Sequence, residues 1–164
     1  MKKLLTIKSW VIMITAVLFG CDAAPELDKN VEAQIRNNWD MFIEYWHNQD
    51  AAACAAFYAD DGINVPSDYV INKGPVAIEG FYRFLFENNI SSHYTHSSKY
   101  VSAESRTAVE FAEFSVDWLS NDSTEWNYNA RVLVHWEKNL AGEWKIKAFL
   151  FNSPPKQTTQ QIDE

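Results

Sequence analysis

Along residues 31–46 the apolar side chains fall at Val31, Ile35, Trp39, Phe42, Ile43 and Trp46, a spacing that gathers them on one side of a helix closing near residue 48. Gln49-Asp50 interrupts the stripe. Asp50 then stands where its carboxylate can accept from the free backbone N–H groups of a short, alanine-rich second helix over 51–58. Asp60-Asp61-Gly62 predicts a turn, followed by short strands over 63–65 and 69–71 around Pro66-Ser67-Asp68. Asn72-Lys73-Gly74-Pro75 predicts another turn. Pro75 suits the first turn of a third helix, whose apolar face is Val76, Ile78, Phe81, Tyr82, Leu85 and Phe86.

Beyond residue 90 the period changes from 3.6 to 2. Strands are predicted over 92–103, 107–119, 126–138 and 144–151, joined by turns at 121–123 and 139–143. Ala112, Phe114, Val116 and Trp118 share one face, with Glu113, Ser115 and Asp117 on the other, turned to solvent. The next strand alternates Tyr128, Ala130, Val132, Val134 and Trp136 against Asn127, Asn129, Arg131, His135 and Glu137. Three helices followed by antiparallel strands make an α+β domain over 31–153. A twisted sheet curling over helices leaves a concave end able to take a small molecule. Ser153-Pro154-Pro155 stops the sheet, and the polar residues 154–164 lack the apolar content to order themselves.

The beginning of the chain follows different rules. Lys2 and Lys3 precede an apolar run, Trp10 to Phe19, too short to span a bilayer comfortably, and Gly20-Cys21 closes it. Residues 1–20 therefore predict a secretory signal, and 21–30, with Pro25, a polar tether. Leu18-Phe19-Gly20-Cys21 resembles the lipobox of bacterial lipoprotein precursors. That resemblance implies lipidation of Cys21, attachment to a membrane and a place in the cell envelope facing the periplasm. Asp22 resembles the inner-membrane retention signal of enteric bacteria.

Length and charge narrow the function classes. At 164 residues, 47% hydrophobic, the chain supports one domain with a core, and a formal charge of -8 argues against a nucleic-acid partner. Loss of the leader removes three lysines and no acid, which makes the domain more acidic still. With Cys21 acylated, Cys54 has no disulfide partner, and in Ala-Ala-Ala-Cys-Ala-Ala it reads as a small buried thiol.

Phe57-Tyr58-Ala59-Asp60-Asp61-Gly62, then Val65-Pro66, then Lys73-Gly74-Pro75-Val76-Ala77-Ile78 leading to Phe81, resemble the nuclear transport factor 2-like superfamily, nearest to SnoaL-like and ketosteroid-isomerase-like proteins. The resemblance spans about 31–153. It implies a cone-shaped barrel with an interior pocket, and a homodimer packed through the outer face of the sheet. It also implies where isomerase chemistry would sit, and those positions fall on Phe42, Val65 and Val134. A valine accepts no proton and a phenylalanine donates none to an oxyanion, so the isomerase mechanism is not expected. The adjoining Asn64 and His135 supply no carboxylate, and strand parity turns them to the opposite face.

The remaining candidates are polar groups among aromatics. Tyr45, Trp46, Tyr69, Tyr82, Tyr128 and Trp136 include several expected near the interior; Trp46, Tyr69 and Tyr128 are the ligand-contacting candidates. His93 and His96 lie three apart on a strand, hence on opposite faces, and one of them is expected to face the pocket. His47 suits a helix C-terminus, and Asp60 and Asp61 suit backbone capping. No motif spacing supports a metal, and no cofactor is expected. The expected function is binding of a small, largely apolar molecule, with two alternatives: a dehydratase- or cyclase-type enzyme using Tyr and His, or an interaction module docking through Leu133, Phe149 and Phe151.

Overall fold

The apolar stripe of the first helix decides how the molecule is layered. The computed structural model describes residues 29–154, so the leader, Cys21 and nearly all of the tether and tail lie outside the described residues. The elements in order are α1 (Lys29–His47), α2 (Ala51–Ala55), β1 (Tyr58–Val65), β2 (Asn72–Lys73), α3 (Pro75–Asn88), β3 (Asn89–Glu104), β4 (Thr107–Ser120), β5 (Glu125–Lys138) and β6 (Trp144–Asn152). Val31, Ile35, Trp39, Phe42 and Trp46 of α1 are buried together with Ile78 and Tyr82 of α3 and the inward rows of β4, β5 and β6. The sheet, in the order β2-β1-β6-β5-β4-β3, curls around that helical layer as a half-barrel. The architecture is α+β, as the pattern predicts, and its curled sheet is the cone that the resemblance implies. Among the described residues, no helix is long and apolar enough to cross a membrane.

Local signals hold in several places. Asp50 caps α2, its carboxylate accepting from the Ala53 N–H at 2.9 Å. Cys54 is fully buried, and burial, with the nearby Asp50 charge, pushes its thiol up to about 12, which leaves it protonated and inert. On β4 and β5 the buried positions alternate as the sequence predicts.

β1 is where the structure departs from the local reading. Asp60, Asp61 and Gly62 do not turn; they run inside an eight-residue strand, and α2 ends before Tyr58 rather than including it. The reason lies far along the chain. β1 pairs in parallel with β6, Tyr58 opposite Ile146 and Asn64 opposite Phe149, with a register shift between Tyr58 and Ile63. Asp60 and Asp61 are exposed, and Asp61 pairs with Lys147 of β6 instead of capping a turn. On its other edge β1 meets β2, two residues from the stretch expected to turn, while residues 69–71 form no strand and lie exposed.

Gly62 shows how close this parallel pairing is. A Cβ there would stand 2.8 Å from the Ile146 carbonyl and 2.9 Å from that of Ala59, both backbone atoms. Gly62→Ala is expected to destabilise the fold by about 1–3 kcal/mol, the usual range for forced overpacking. Equilibrium urea unfolding measures it, and a loss under about 0.5 kcal/mol, the scale of a neutral surface change, would show that the two strands have room to part.

Candidate functional site

An aromatic cavity of about 100 Å³ opens between the C-terminal half of α1, α3 and the inner face of the sheet. Phe42 and Trp46 reach it from α1, Phe81 and Tyr82 from α3, and Tyr94, Phe114, Trp118, Tyr128, Phe149 and Phe151 from the strands. The rings brace one another. Phe114 stacks on Tyr94 with centroids 5.6 Å apart and touches Tyr128, Phe149 and Phe151 as well. Tyr82 and Tyr58 share a buried hydroxyl contact of 2.8 Å, and burial raises both phenols, so they stay protonated.

Polar groups are few and stand at one edge. Ser67 and Tyr128 hydroxyls lie 3.2 Å apart, Ser67 donates to the Asp68 carboxylate at 3.1 Å, and the half-exposed Tyr69 packs edge-on against Phe81 and Phe84. Another polar group in the wall is the Trp46 indole. Its Nε1–H is buried and meets no acceptor, whereas the neighbouring Trp126 donates to Ser120 at 2.9 Å. Three of the sequence candidates, Trp46, Tyr69 and Tyr128, thus share one cavity.

The histidines do not join them. His93 is exposed, and among the described residues no histidine lines the aromatic cavity. His47, rather than only facing a helix dipole, accepts the Tyr94 backbone N–H through Nε2 at 3.3 Å. Tyr45, exposed, points away from the interior. Val65 faces the convex side of the sheet beside Phe111, Leu133 and Leu150, and the inward residue is Asn64, fully buried with neither amide atom partnered. With Phe42 and Val134 also buried, none of the three positions the resemblance marks for isomerase chemistry presents an acid.

Phe149 and the partly buried Phe151 likewise turn inward to the cavity wall, not to the docking face expected for them. Between β5 and β6 the register slips: Trp136 faces Ile146 but His135 faces Ala148, so Lys147 is an extra residue that reverses the phase of everything after it. The outer face carries Val109, Phe111, Leu133 and Leu150 instead.

A second cluster was not singled out in the sequence. Glu110 of β4 has no exposed surface, and its carboxylate takes three hydrogen bonds, each at 2.9 Å: His96 Nε2 on Oε1, and the indole N–H groups of Trp39 and Trp136 on Oε2. Trp39 also stacks on the His96 ring at 3.8 Å. Burial pushes the Glu110 carboxyl upward, but His96, by hydrogen bond and charge, and the two indoles outweigh it and hold the group below the ordinary carboxylate range. The signal was present in the strand: Glu110 is in phase with Ala108, Ala112, Phe114, Val116 and Trp118, and a charge in a buried row needs partners. These partners come from α1, β3 and β5, far apart in sequence.

No protein-family model and no curated protein sequence matches the chain. Solved structures do. A nuclear transport factor 2-like superfamily protein from Salmonella enterica superimposes with a TM-score of 0.67 at 14% identity, over 80% of this chain and 96% of that one. A ketosteroid isomerase-like protein from Erwinia carotovora gives 0.66 at 16%, over 74% and 94%. ActVI-ORFA from Streptomyces coelicolor gives 0.65 at 12%, over 77% and 96%. At these identities the likeness is one of fold, and the fold is that of the nuclear transport factor 2-like cone. A fold of this kind does not carry a function with it.

Proposed function

We propose that this chain is a lipid-anchored envelope protein whose domain holds a small, largely apolar molecule bearing one hydrogen-bond acceptor in the aromatic cavity. The observation that supports this most is the Trp46 indole N–H, buried in a wall of rings and left without an acceptor. A buried donor without a partner costs about 1–3 kcal/mol, and a ligand oxygen removes that cost. A volume of about 100 Å³ sets the scale at one small ring. Anything longer has to pass the edge formed by Ser67, Tyr69 and Tyr128.

Cyclohexanone, a single ring with a carbonyl acceptor, is a suitable probe. It is expected to raise the melting temperature, and Trp46→Phe, which removes the N–H and keeps a ring, to weaken its binding roughly 2- to 10-fold. Equal binding by the variant would remove the role given to the indole, and empty native mass spectra of protein taken from its own host would count against a retained ligand. The anchor has a separate test. Cys21→Ser or globomycin is expected to block maturation, and normal processing in both cases would remove the lipoprotein reading. Among the described residues, no histidine lines the cavity with Tyr69 and Tyr128.

A second reading concerns assembly. Phe111, Leu133 and Leu150, each at least 40% exposed, face one another across β4, β5 and β6 and form an apolar row on the convex face. A second copy of the chain laid on the same row would bury it, as in the homodimers the resemblance implies. Sedimentation is expected to give a dimer that Leu133→Glu converts to a monomer; a monomeric parent protein would dispose of this arrangement.

A further inference from the structure

At the mouth of the aromatic cavity, three side chains fix which way a hydrogen can point. Ser67 and Asp68 stand in the connection between β1 and β2, Tyr128 comes from β5, and all three line the cavity. The Tyr128 ring packs against Phe114 and Phe151, with centroids 5.9 and 6.2 Å away, and its hydroxyl meets Ser67 Oγ at 3.2 Å. Ser67 has one hydrogen. Its Oγ donates that hydrogen to the Asp68 carboxylate at 3.1 Å.

The polarity of the next contact follows. A carboxylate only accepts, so the Ser67 hydrogen is taken, and both contacts stand together only if Tyr128 donates to Ser67. The phenol hydrogen is thereby used. What Tyr128 keeps for a guest is the lone pairs of its oxygen, so at this edge the cavity accepts. Trp46, buried in the wall, has the opposite sense, because an indole N–H can only donate. The cavity therefore pairs a donor inside with an acceptor at its mouth.

We propose that the molecule held here is a small ring bearing both a carbonyl and a hydroxyl, the carbonyl accepting from Trp46 Nε1–H and the hydroxyl donating to Tyr128. The inference rests on the aromatic cavity being the binding site, and it adds the second polar group. Asp68 acts as a positioning residue: it need not touch the guest, but by holding the Ser67 hydrogen it makes Tyr128 an acceptor. An ether or a halide in the place of the hydroxyl meets lone pairs with lone pairs, which selects against it.

The test compares 4-hydroxycyclohexanone with 4-fluorocyclohexanone, two ketones of one ring whose substituents are similar in size but differ in having a hydrogen to give. Unsubstituted cyclohexanone is the reference, and calorimetric titration of the full chain gives each Kd. The parent is expected to favour hydroxyl over fluoride by roughly 2- to 10-fold more than Tyr128→Phe does, since the variant keeps the ring and loses the acceptor. Asp68→Asn offers Ser67 a hydrogen as well as an acceptor, which frees the polarity of the chain, and the preference should shrink roughly 2-fold or more. A merely structural disturbance would weaken all three ketones alike and leave their ratios unmoved. Equal ratios in the parent and Tyr128→Phe, or a ratio untouched by Asp68→Asn, would overturn the hydroxyl assignment while cyclohexanone binding kept the cavity reading. Failure of all three ketones to bind would remove both.

Discussion

Glu110→Ala is expected to lower the unfolding free energy by about 3–5 kcal/mol, the range for removing one member of a buried charged pair. The loss exceeds that of the methylenes. Two indole N–H groups and the His96 Nε2–H lose their acceptor at once, and each is buried away from water. The four residues tie α1, β3, β4 and β5 into one cross-link, so the variant is also expected to loosen α1 from the sheet. Urea unfolding read by tryptophan fluorescence measures both the midpoint and the change at Trp39 and Trp136. A loss below about 1 kcal/mol would mean that water or a rearranged partner replaces the carboxylate.

The same group sets a dependence on pH whose direction is fixed. The folded-state carboxyl lies below the ordinary value of 4.5, so near that pH the unfolded chain binds more protons than the folded one, and stability rises with pH. The contribution of Glu110 is complete above 4.5 and is lost as the pH falls through the folded value. Glu110→Gln removes it while leaving Asp61, Asp122 and Glu143, whose carboxyls are also lowered, in both proteins. Below about pH 4.5 the parent should therefore lose stability faster than the Gln variant, and parallel curves would show that the fold does not lower the Glu110 carboxyl.

Phe114→Ala should cost a comparable amount, about 3–5 kcal/mol, because the ring is nearly buried and touches four others that cannot all move into its place. The void joins the aromatic cavity, since Phe114 is part of its wall. Phenol is then expected to stabilise the variant, by about 2.7 kcal/mol at a hundredfold excess over its Kd for the variant, and to stabilise the parent less. Leu133→Ala, on the convex face, is the control that should gain nothing. Should phenol leave the Phe114→Ala melting temperature unmoved, the ring positions would have collapsed inward and the cavity would not be the preformed site proposed.

What the sequence made legible follows from the range of each interaction. The α1 stripe and the alternation of β4 and β5 are periodic signals carried within one element, and both hold. The β1–β6 pairing joins distant segments, and Asp60-Asp61-Gly62 imitates a turn so well that only the partner strand reveals the extended backbone. Phe149 was misplaced because a single extra residue, Lys147, inverts strand phase without any mark in composition. Trp46, Tyr69 and Tyr128 were recognisable as polar-tipped aromatics near a cone. Glu110 and His96 were not recognisable as a pair, since their two strands and the two supporting tryptophans meet only in the folded sheet.

The parallel contact of β1 with β6 also bears on how the chain reaches its folded state. Until β6 is available, β1 has only the two-residue β2 beside it, and the inner edge of the sheet stays open. A strand made early must therefore wait for the last one made, and the closure pays the entropy of the long intervening loop before it gains any pairing. Folding should be slow and late-closing. A chain cut before Trp144 would shed not only β6 but the seat of β1 and the Trp144 contacts that hold Gln34 and Asn38 of α1.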